Sequence, residues 1–278
     1  MGVDEIVATH KKTLARARNR ALIGIAMVVI VFVVAVMLGG TPVMPVALVS
    51  FLIASLGILA SERSAVRRAW ESLTAIASQD CDPEKMLKVL AGLGFADDSG
   101  ADGRKQSMGS MSIWYATCLA LSGQPGAASS VAKEIEAVNK GRRAKDVLGV
   151  ANLLDLELRI AMAKKDKASA AAVLEKAGGL HGQGGMGFVG DAVDLLEMKA
   201  KLGLAVLNSD WAAAKSEAEE LLPRVGNKFQ YVHLRYARGL ACMKQGETQL
   251  ARGDLSYVIQ EGGTLAVCED ARNCFRNR

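Results

Sequence analysis

The sequence predicts an all-α protein in two parts, a two-helix transmembrane hairpin followed by an α-solenoid of helical hairpins. Three observations predict this class. A long apolar stretch without any Asp, Glu, Lys or Arg lies between Arg20 and Glu62. After it, hydrophobic residues recur at helical spacing, and no segment alternates between apolar and polar residues as a strand would. Short turns follow one another at similar distances, which is typical of repeated helical hairpins.

The apolar stretch, residues 21–61, consists of two pieces that are each about one bilayer long. The pieces, 21–38 and 43–60, are separated by a short connector that contains two glycines and Pro42. About 20 helical residues cover the ~30 Å hydrocarbon core of a membrane, where a helix satisfies its own backbone hydrogen bonds. We therefore predict two transmembrane helices. Small residues in the second piece favour close packing of the pair, namely Ser50, Ser55 and Gly57.

Basic residues flank the apolar stretch at both of its ends, whereas the connector carries no charge. They are Lys11, Lys12, Arg16, Arg18 and Arg20 before it, and Arg63, Arg67 and Arg68 after it. Lys and Arg close to a spanning helix tend to remain on the cytoplasmic side. We therefore expect a plasma-membrane protein with two spans whose N- and C-termini are both cytoplasmic. The same residues favour anionic lipid headgroups, and the Ala-, Gly- and Val-rich composition favours a bacterial membrane.

Two other interpretations of the apolar stretch are weaker. A signal peptide has an apolar region of about 7–15 residues and a cleavage site with small residues, and the first piece is longer and lacks such a site. A buried hairpin in a soluble protein would rarely be so long, uncharged and bracketed by arginines. N-myristoylation is disfavoured because Ile6 stands where that motif needs Ser or Thr.

Charge and cysteine content restrict the classes of ligand. The net charge of the 278 residues is +5, and beyond residue 20 the chain holds 29 basic and 27 acidic residues. Such a balanced surface does not favour nucleic acid, which requires clustered Lys and Arg. The five cysteines form no Cys-x-x-Cys pair, which suits a reducing compartment, and the three histidines are scattered. We therefore expect no metal, no cofactor and no nucleic-acid partner.

The rest of the chain divides into a linking region and a repeat region. Residues 1–20 form a basic N-terminal segment, residues 62–106 comprise a stem helix, a short helix and a loop, and residues 107–278 form the helical repeat domain. The stem helix, 61–78, carries an apolar stripe that we expect to pack against the short helix, 83–93. The stripe consists of Val66, Ala69, Trp70, Leu73, Ile76 and Ala77.

Two loops match ligand-binding motifs only in part. The loop 96–106 contains Asp98 and Asp102, but Gly100 and Gly109 stand where a calcium loop needs oxygen ligands. Residues 182–187 satisfy the G-x-G-x-x-G pattern of dinucleotide-binding loops. That site requires a preceding strand, and the preceding segment is predicted to be helical, so a plain connector is favoured.

The clearest repeat unit, Leu234–Gly262, resembles a tetratricopeptide repeat, in which a tight turn joins two antiparallel helices. The resemblance rests on a small residue in the first helix, a turn that ends at a glycine, and packing positions in the second helix. These are Gly239, the turn Lys244-Gln245-Gly246, and Ala251, Leu255 and Val258. Two positions depart from the family pattern: Arg235 replaces a large apolar residue, and Gly263 replaces the closing proline.

Three earlier units align on the same turn, with turn residues at positions 123, 165, 209 and 246. An alanine follows each turn where the two helices of a hairpin cross closely, at Ala128, Ala170, Ala214 and Ala251. We predict helices near 108–122, 126–139, 146–164, 167–177, 188–208, 210–222, 228–244, 247–261 and 263–274. The turns are farther apart than the ~34 residues of an ideal tetratricopeptide repeat, so the array is irregular.

The resemblance implies a concave surface that is lined by the first helix of each hairpin and binds a protein or peptide. Its candidate partner-binding residues are Asn152, Asp155, Arg159, Lys199, Val206, His233, Tyr236, Leu240 and Lys244. Three of them, Asn152, Asp155 and Arg159, form a polar stripe on an otherwise apolar helix. Either this stripe is simply exposed to solvent, or it contacts a peptide.

Three functional hypotheses remain at the level of the sequence. The first is a non-catalytic, membrane-anchored adaptor that holds a protein partner at the cytoplasmic face, with no small-molecule substrate. The second is a small structural subunit of a membrane complex that acts through its transmembrane hairpin. The third, an enzyme with an unrecognised helical site, is disfavoured because no catalytic motif occurs in the chain.

Overall fold

The computed structural model describes residues 2–95, 110–139, 146–181 and 187–276, apart from the side chains at 39–44, 110, 138 and 139. In these ranges all regular secondary structure is helical, which confirms the predicted all-α class. The chain forms two compact units, Met1–Thr74 and Ala75–Arg278. Both partial motifs, the loop 96–106 with Gly109 and the glycine-rich residues 182–186, lie outside the described residues.

The first unit is a helical hairpin. Helix α1 spans Val3–Ser78 and contains two limbs, Val3–Leu38 and Pro45–Ser78. The ring centroids of Phe32 and Phe51 are 5.1 Å apart, whereas in a straight helix these residues would be separated by ~28 Å. The chain therefore reverses direction between them, and the two limbs run antiparallel.

The contact between the limbs follows the spacing of a coiled coil. Buried and half-buried positions of the first limb recur every three or four residues, at Val3, Val7, His10, Leu14, Ala17, Ala21, Gly24 and Val28. The buried and half-buried positions of the second limb include Ala47, Phe51, Ser55, Ile58, Glu62, Val66 and Ala69. Steps of three and four residues keep one stripe of each helix facing its partner. The steps alternate in the first limb, whereas two steps of four precede each step of three in the second.

The coiled-coil contact continues beyond the apolar stretch into the basic N-terminal segment, which is helical from Val3 onwards. The ring of His10 lies 4.4 Å from that of Trp70 in an edge-on arrangement. The stem's Trp70 thus packs against the first limb, a partner that the sequence interpretation did not consider. The segment can pair because its Lys and Arg side chains lie on its exposed face, whereas Ile6, His10 and Ala17 are buried.

The limbs approach each other closely at Gly24. A Cβ atom placed there would lie 3.0 Å from Cδ1 of Ile58. Of the three small residues expected to allow close packing, Ser55 lies at the contact, while Ser50 is exposed and Gly57 has no atom within 4 Å of its Cβ position. The close approach therefore depends on a glycine of the first limb, which sequence reasoning missed.

The second unit consists of short helices. They are α2 (Pro83–Gly92), α3 (Ser110–Leu121), α4 (Pro125–Asn139), α5 (Val147–Lys164), α6 (Lys167–Gly178), α7 (Phe188–Asn208), α8 (Trp211–Leu221), α9 (Lys228–Lys244), α10 (Thr248–Glu261) and α11 (Ala266–Arg276), with a 3-10 turn at Leu222–Arg224. Helices α3 and α4, α5 and α6, α7 and α8, and α9 and α10 pack as neighbours. These four pairs occupy the predicted helical positions to within a few residues.

The four hairpin turns share one backbone geometry. Gly123, Lys165, Ser209 and Gly246 have positive φ angles of 78°, 57°, 61° and 82°. At the second turn, the N–H of Lys165 donates to the carbonyl of Met162 (3.1 Å) and that of Asp166 donates to Ala161 (2.8 Å). The other three turns repeat this pair of hydrogen bonds, which is the Schellman arrangement that ends a helix with a left-handed residue. The turns that align in sequence are thus equivalent in structure.

The residues that follow each turn explain why a new helix begins there. Asp166 and Asp210 cap α6 and α8, because their carboxylates accept hydrogen bonds from the N–H groups of Ser169 and Ala213, each at 3.1 Å. The aligned alanines are buried, with relative exposures of 0, 0, 0 and 2 % for Ala128, Ala170, Ala214 and Ala251. A larger side chain at these positions would separate the two helices of a hairpin.

The C-terminal part of the second unit contacts its N-terminal part. The N–H of Thr264 donates to the carbonyl of Cys81 at 3.0 Å, and its hydroxyl donates to Asp82 at 2.9 Å. One buried apolar cluster combines Leu121 of α3 with Phe229 of α9. An open solenoid has contacts only between neighbouring repeats, so these contacts close the array and leave a shared interior between α3, α5, α7 and α9.

Candidate functional site

An apolar belt surrounds part of the helical hairpin. Apart from Phe188, Leu250 and Phe275, every large hydrophobic side chain that the structure describes as exposed lies within Leu22–Leu38 or Val46–Leu59. The first of these segments is ~25 Å long as a helix, close to the ~30 Å of a hydrocarbon core. Both limbs are long and apolar enough to cross a membrane, with mean hydropathies of 3.2 and 1.8 in their most apolar windows.

An arginine collar lies at one end of this belt. Because the limbs are antiparallel, the residues before the first apolar segment and those after the second lie at the same end of the hairpin. The collar consists of Arg16, Arg18, Arg20, Arg63, Arg67 and Arg68, all exposed. Arg67 donates from Nε to Glu71 at 2.6 Å. The belt itself contains no charged residue, so the hairpin is strongly asymmetric in charge along its length.

Three of the predicted partner-binding residues form an ion-pair cluster in the interior of the second unit. Asp155 accepts hydrogen bonds from Arg159 (Nε, 2.9 Å; Nη2, 2.8 Å) and from Lys199 (Nζ, 3.1 Å). The side chains of Asp155, Arg159 and Lys199 are 26, 14 and 16 % exposed. Since Lys199 belongs to α7 and the other two belong to α5, the cluster joins two neighbouring hairpins.

Aromatic side chains complete this interior. The guanidinium of Arg159 lies over the ring of Phe229, 4.9 Å from its centroid. Phe229 also contacts Trp114 of α3 and His233 of α9 edge-on, with ring centroids 6.1 and 6.4 Å away. Burial lowers the pKa of His233 to about 3, and the nearby charge of Arg159 acts in the same direction. His233 is therefore neutral at physiological pH.

The ionisation of the cluster follows from its partners. Burial alone would raise the pKa of Asp155, but the charges and hydrogen bonds of Arg159 and Lys199 outweigh it and hold that pKa well below its usual value. Burial lowers the pKa of Lys199, which Asp155 opposes only in part. Asp155 thus stays ionised and offsets one of the two cations.

The remaining predicted partner-binding residues do not join the ion-pair cluster. Asn152 and Lys244 are exposed, and Val206, Tyr236 and Leu240 are half-buried. Val206 packs against the apolar cluster between α7, α8 and α9, and Tyr236 against that between α9, α10 and α11. Of the nine candidates, three pair with one another, and three more, His233, Val206 and Tyr236, pack within the unit. Asn152, Leu240 and Lys244 make up the rest.

A second ion-pair cluster, which sequence reasoning missed, lies on α9 and α10. Asp254 is fully buried (0 % exposed), and it accepts hydrogen bonds from Arg235 (2.6 Å) and Arg238 (2.7 Å). The guanidinium of Arg235 also lies over the rings of Tyr231 and Tyr257, 5.1 and 5.2 Å from their centroids. Arg235 thus takes the place of the expected large apolar residue because Asp254 neutralises it. The signal for this cluster in the sequence is Arg235 itself, which stands where the repeat pattern has a large apolar residue.

The described residues do not contain a group of three or more His, Cys, Asp or Glu side chains arranged to hold a metal ion. Four cysteines are buried, and burial raises the pKa of Cys81 to about 11 and that of Cys118 to about 12. These two thiols are protonated at neutral pH and are poor nucleophiles. Their arrangement favours a structural role.

Comparisons with known proteins give no assignment to a family. No protein family matches the chain, and no characterised protein or solved structure matches it either. The established description is therefore an all-α chain with two candidate membrane-spanning helices and a set of helical hairpins that share one turn geometry.

Proposed function

We propose that this protein is a membrane-anchored, non-catalytic scaffold. Its hairpin crosses the plasma membrane twice, and its tetratricopeptide-like unit Ala75–Arg278 binds a protein or peptide at the cytoplasmic face. The observation that carries the proposal is the combination of the exposed apolar belt with the arginine collar at one end.

The belt supports membrane insertion on energetic grounds. Leu38 and Leu56 are 84 and 65 % exposed, and many similar side chains surround them. Each large apolar side chain that leaves water gains about 1.5–3 kcal/mol, and soluble monomers rarely expose apolar patches of this extent. Lipid would cover the belt over its whole length, with no need for a protein partner.

The collar supports the orientation. Arginines near spanning helices favour the cytoplasmic side, and they flank only that end of the hairpin at which both the N-terminal segment and the second unit join it. Free, buried cysteines in the second unit agree with a reducing compartment. Both termini would then be cytoplasmic.

We propose that one face of α9 forms the partner-binding surface. Among the candidates that do not belong to the ion-pair cluster, Tyr236, Leu240 and Lys244 follow one another at steps of four residues and share a helix face. Each retains exposed surface. An aromatic, an aliphatic and a cationic side chain in a row suit a peptide with apolar and acidic residues.

The experiment combines topology with partner capture. Tags at the two termini of the full chain should resist protease added to sealed right-side-out cells, and digestion of either tag would contradict the orientation. Crosslinking in intact membranes should then enrich a partner that is lost in Lys244→Glu but kept in Lys167→Glu, an exposed control on α6. Equal recovery by the wild type and both variants would contradict the α9 surface.

One observation favours a second candidate function. The interior of the second unit is filled by its own ion pairs and aromatic rings. The hairpin, in contrast, exposes many large apolar side chains that could bind another protein in the membrane. In this alternative the protein is a structural subunit of a membrane complex that acts through its hairpin. Exchange of residues 21–61 for an unrelated hairpin separates the two: retained function supports the scaffold, and lost function supports the alternative.

A further inference from the structure

A groove runs along the second limb where the apolar belt meets the arginine collar. Its volume is about 740 Å³, and its walls include Leu56, Leu59, Arg63, Ser64, Arg67 and Arg68. From Leu56 to Arg67 the helix advances ~16 Å, and the polar zone of a bilayer is only ~5–8 Å thick on each side. The groove is therefore long enough to reach from the headgroup level into the hydrocarbon.

The two ends of this groove differ in chemistry. Leu56 and Leu59 form an apolar end that is continuous with the belt, whereas three guanidinium groups lie at the other end. Glu71 is the carboxylate among its lining residues, and it pairs with Arg67 at 2.6 Å. Three cations and one anion leave an excess of two positive charges. Such a groove matches a molecule with an anionic head and an apolar tail.

We propose that this groove binds one anionic phospholipid of the cytoplasmic leaflet. The phosphate group contacts Arg63 and Arg68, since planar guanidinium groups donate paired hydrogen bonds to phosphate oxygens. The hydroxyl of Ser64 donates a further hydrogen bond, and an acyl chain lies along Leu56 and Leu59. This inference rests on the proposed insertion of the hairpin into a membrane.

The apolar end distinguishes a lipid from a free phosphate ion. A free ion would use the arginines alone, and its binding would not depend on Leu56. A lipid also uses the apolar wall, so that both ends contribute to its affinity. Replacing Leu56 by Asn should therefore weaken lipid binding and leave the binding of inorganic phosphate unchanged.

The test uses the purified full chain in neutral detergent, titrated with phosphatidylglycerol or phosphatidylcholine, with bound lipid counted by native mass spectrometry. The wild type should retain one phosphatidylglycerol in preference to phosphatidylcholine. The triple variant Arg63→Gln, Arg67→Gln, Arg68→Gln should bind it at least ~10-fold more weakly, a loss equivalent to ~1.4 kcal/mol. The matched control is Arg16→Gln, Arg18→Gln, Arg20→Gln, which removes the same charge from the first limb and should bind nearly as the wild type does.

Each other outcome overturns the proposal. Equal weakening in both triple variants would show a diffuse attraction to the collar, and no weakening in either would show that the groove is not used. Displacement of the lipid by inorganic phosphate, with no effect of Leu56→Asn, would show a plain anion site. Vesicle insertion is measured separately by flotation after carbonate washing: insertion without anionic preference overturns the lipid site alone, and failure to insert overturns the membrane anchor as well.

Discussion

The guanidinium of Arg159 on α5 lies 4.9 Å from the ring centroid of Phe229 on α9, although the α7–α8 hairpin separates the two helices along the chain. Such a contact requires the inner faces of non-neighbouring hairpins to converge. The ion pairs of Asp155 lie at the same place. Two residues of the polar stripe on α5, Asp155 and Arg159, therefore join hairpins.

Asp155→Asn should lower the free energy of unfolding by ~2 kcal/mol at pH 7, because it leaves two half-buried cations unpaired. The pKa of Asp155 is lowered in the folded state, so its stabilising effect is complete above the unfolded value of ~4 and is lost as the pH falls below it. The difference between variant and wild type should therefore shrink in acid. Denaturant unfolding in detergent, followed by circular dichroism between pH 7 and pH 2.5, measures this.

The control for this prediction is Glu136→Gln, an exposed carboxylate on α4. It removes the same charge and should change the unfolding free energy by less than ~0.5 kcal/mol. A difference between Asp155→Asn and wild type that stays constant down to pH 2.5 would contradict the ion-pair interpretation.

Asp254→Asn should lower the free energy of unfolding by more, ~3–5 kcal/mol, because Asp254 is fully buried and pairs with both Arg235 and Arg238. Double-variant analysis with Arg235→Gln isolates the interaction. We expect the two changes together to cost clearly less than their sum, since each removes the same contact. Simple additivity would show that Arg235 contributes only through its packing between the tyrosines.

Lys165→Gly and Ser209→Gly should each stabilise the protein by ~0.5–1 kcal/mol. Both residues hold positive φ angles, 57° and 61°, which cost a side-chain-bearing residue energy that glycine does not pay. Thermal unfolding of the full chain in detergent measures the gain. The control Ala163→Gly, at an exposed helical position of α5, should instead destabilise by ~1 kcal/mol.

Gly24→Leu should separate the limbs of the hairpin, because even a Cβ atom added there would lie 3.0 Å from Cδ1 of Ile58. The measurement is the yield of disulfide between Cys residues placed at positions 32 and 51, where the native rings touch. Gly57→Leu is the control, since its Cβ position meets no atom within 4 Å. If both variants crosslink as well as the parent protein does, close packing at Gly24 is not required.

Gly263→Ala should open the contact between the last and first helices of the second unit. A Cβ atom there would clash with the carbonyl oxygen of Cys81, and the φ angle of 55° adds strain. We expect the free energy of unfolding to fall by ~1–3 kcal/mol. We also expect faster hydrogen exchange at the Thr264 amide, which donates to the carbonyl of Cys81. Gly226→Ala, whose Cβ position is unobstructed, should leave that exchange unchanged.

Several features of the fold could be predicted from local sequence alone. The helices, the four turns and the buried alanines that follow them all depend on residues within a few positions of one another. Ala170 illustrates this, since a small residue shortly after a predicted turn, where the two helices of a hairpin cross, predicts its burial without any knowledge of distant contacts. Hydrophobic periodicity and turn chemistry are properties of short segments, so the sequence of each segment is sufficient to predict them.

The contacts of the candidate site could not be predicted from the sequence, because they join segments that are far apart along the chain. Asp155 was identified as a member of a polar stripe, but its pairing with Lys199 across two hairpins has no signature in either segment. His10 was not identified as a partner of Trp70, since nothing in a basic segment predicts that it will fold back along a stem.

The sequence by itself determined which segments are helical, where the hairpins turn, and that one segment is apolar and long enough for a bilayer. Only the tertiary structure decided that Arg159 contacts Phe229, that Asp254 pairs with two arginines, and that the amide of Thr264 donates to Cys81. The physical reason is that helix formation follows local backbone and side-chain preferences. Packing between distant segments depends instead on the shapes and charges that those helices present once they are formed.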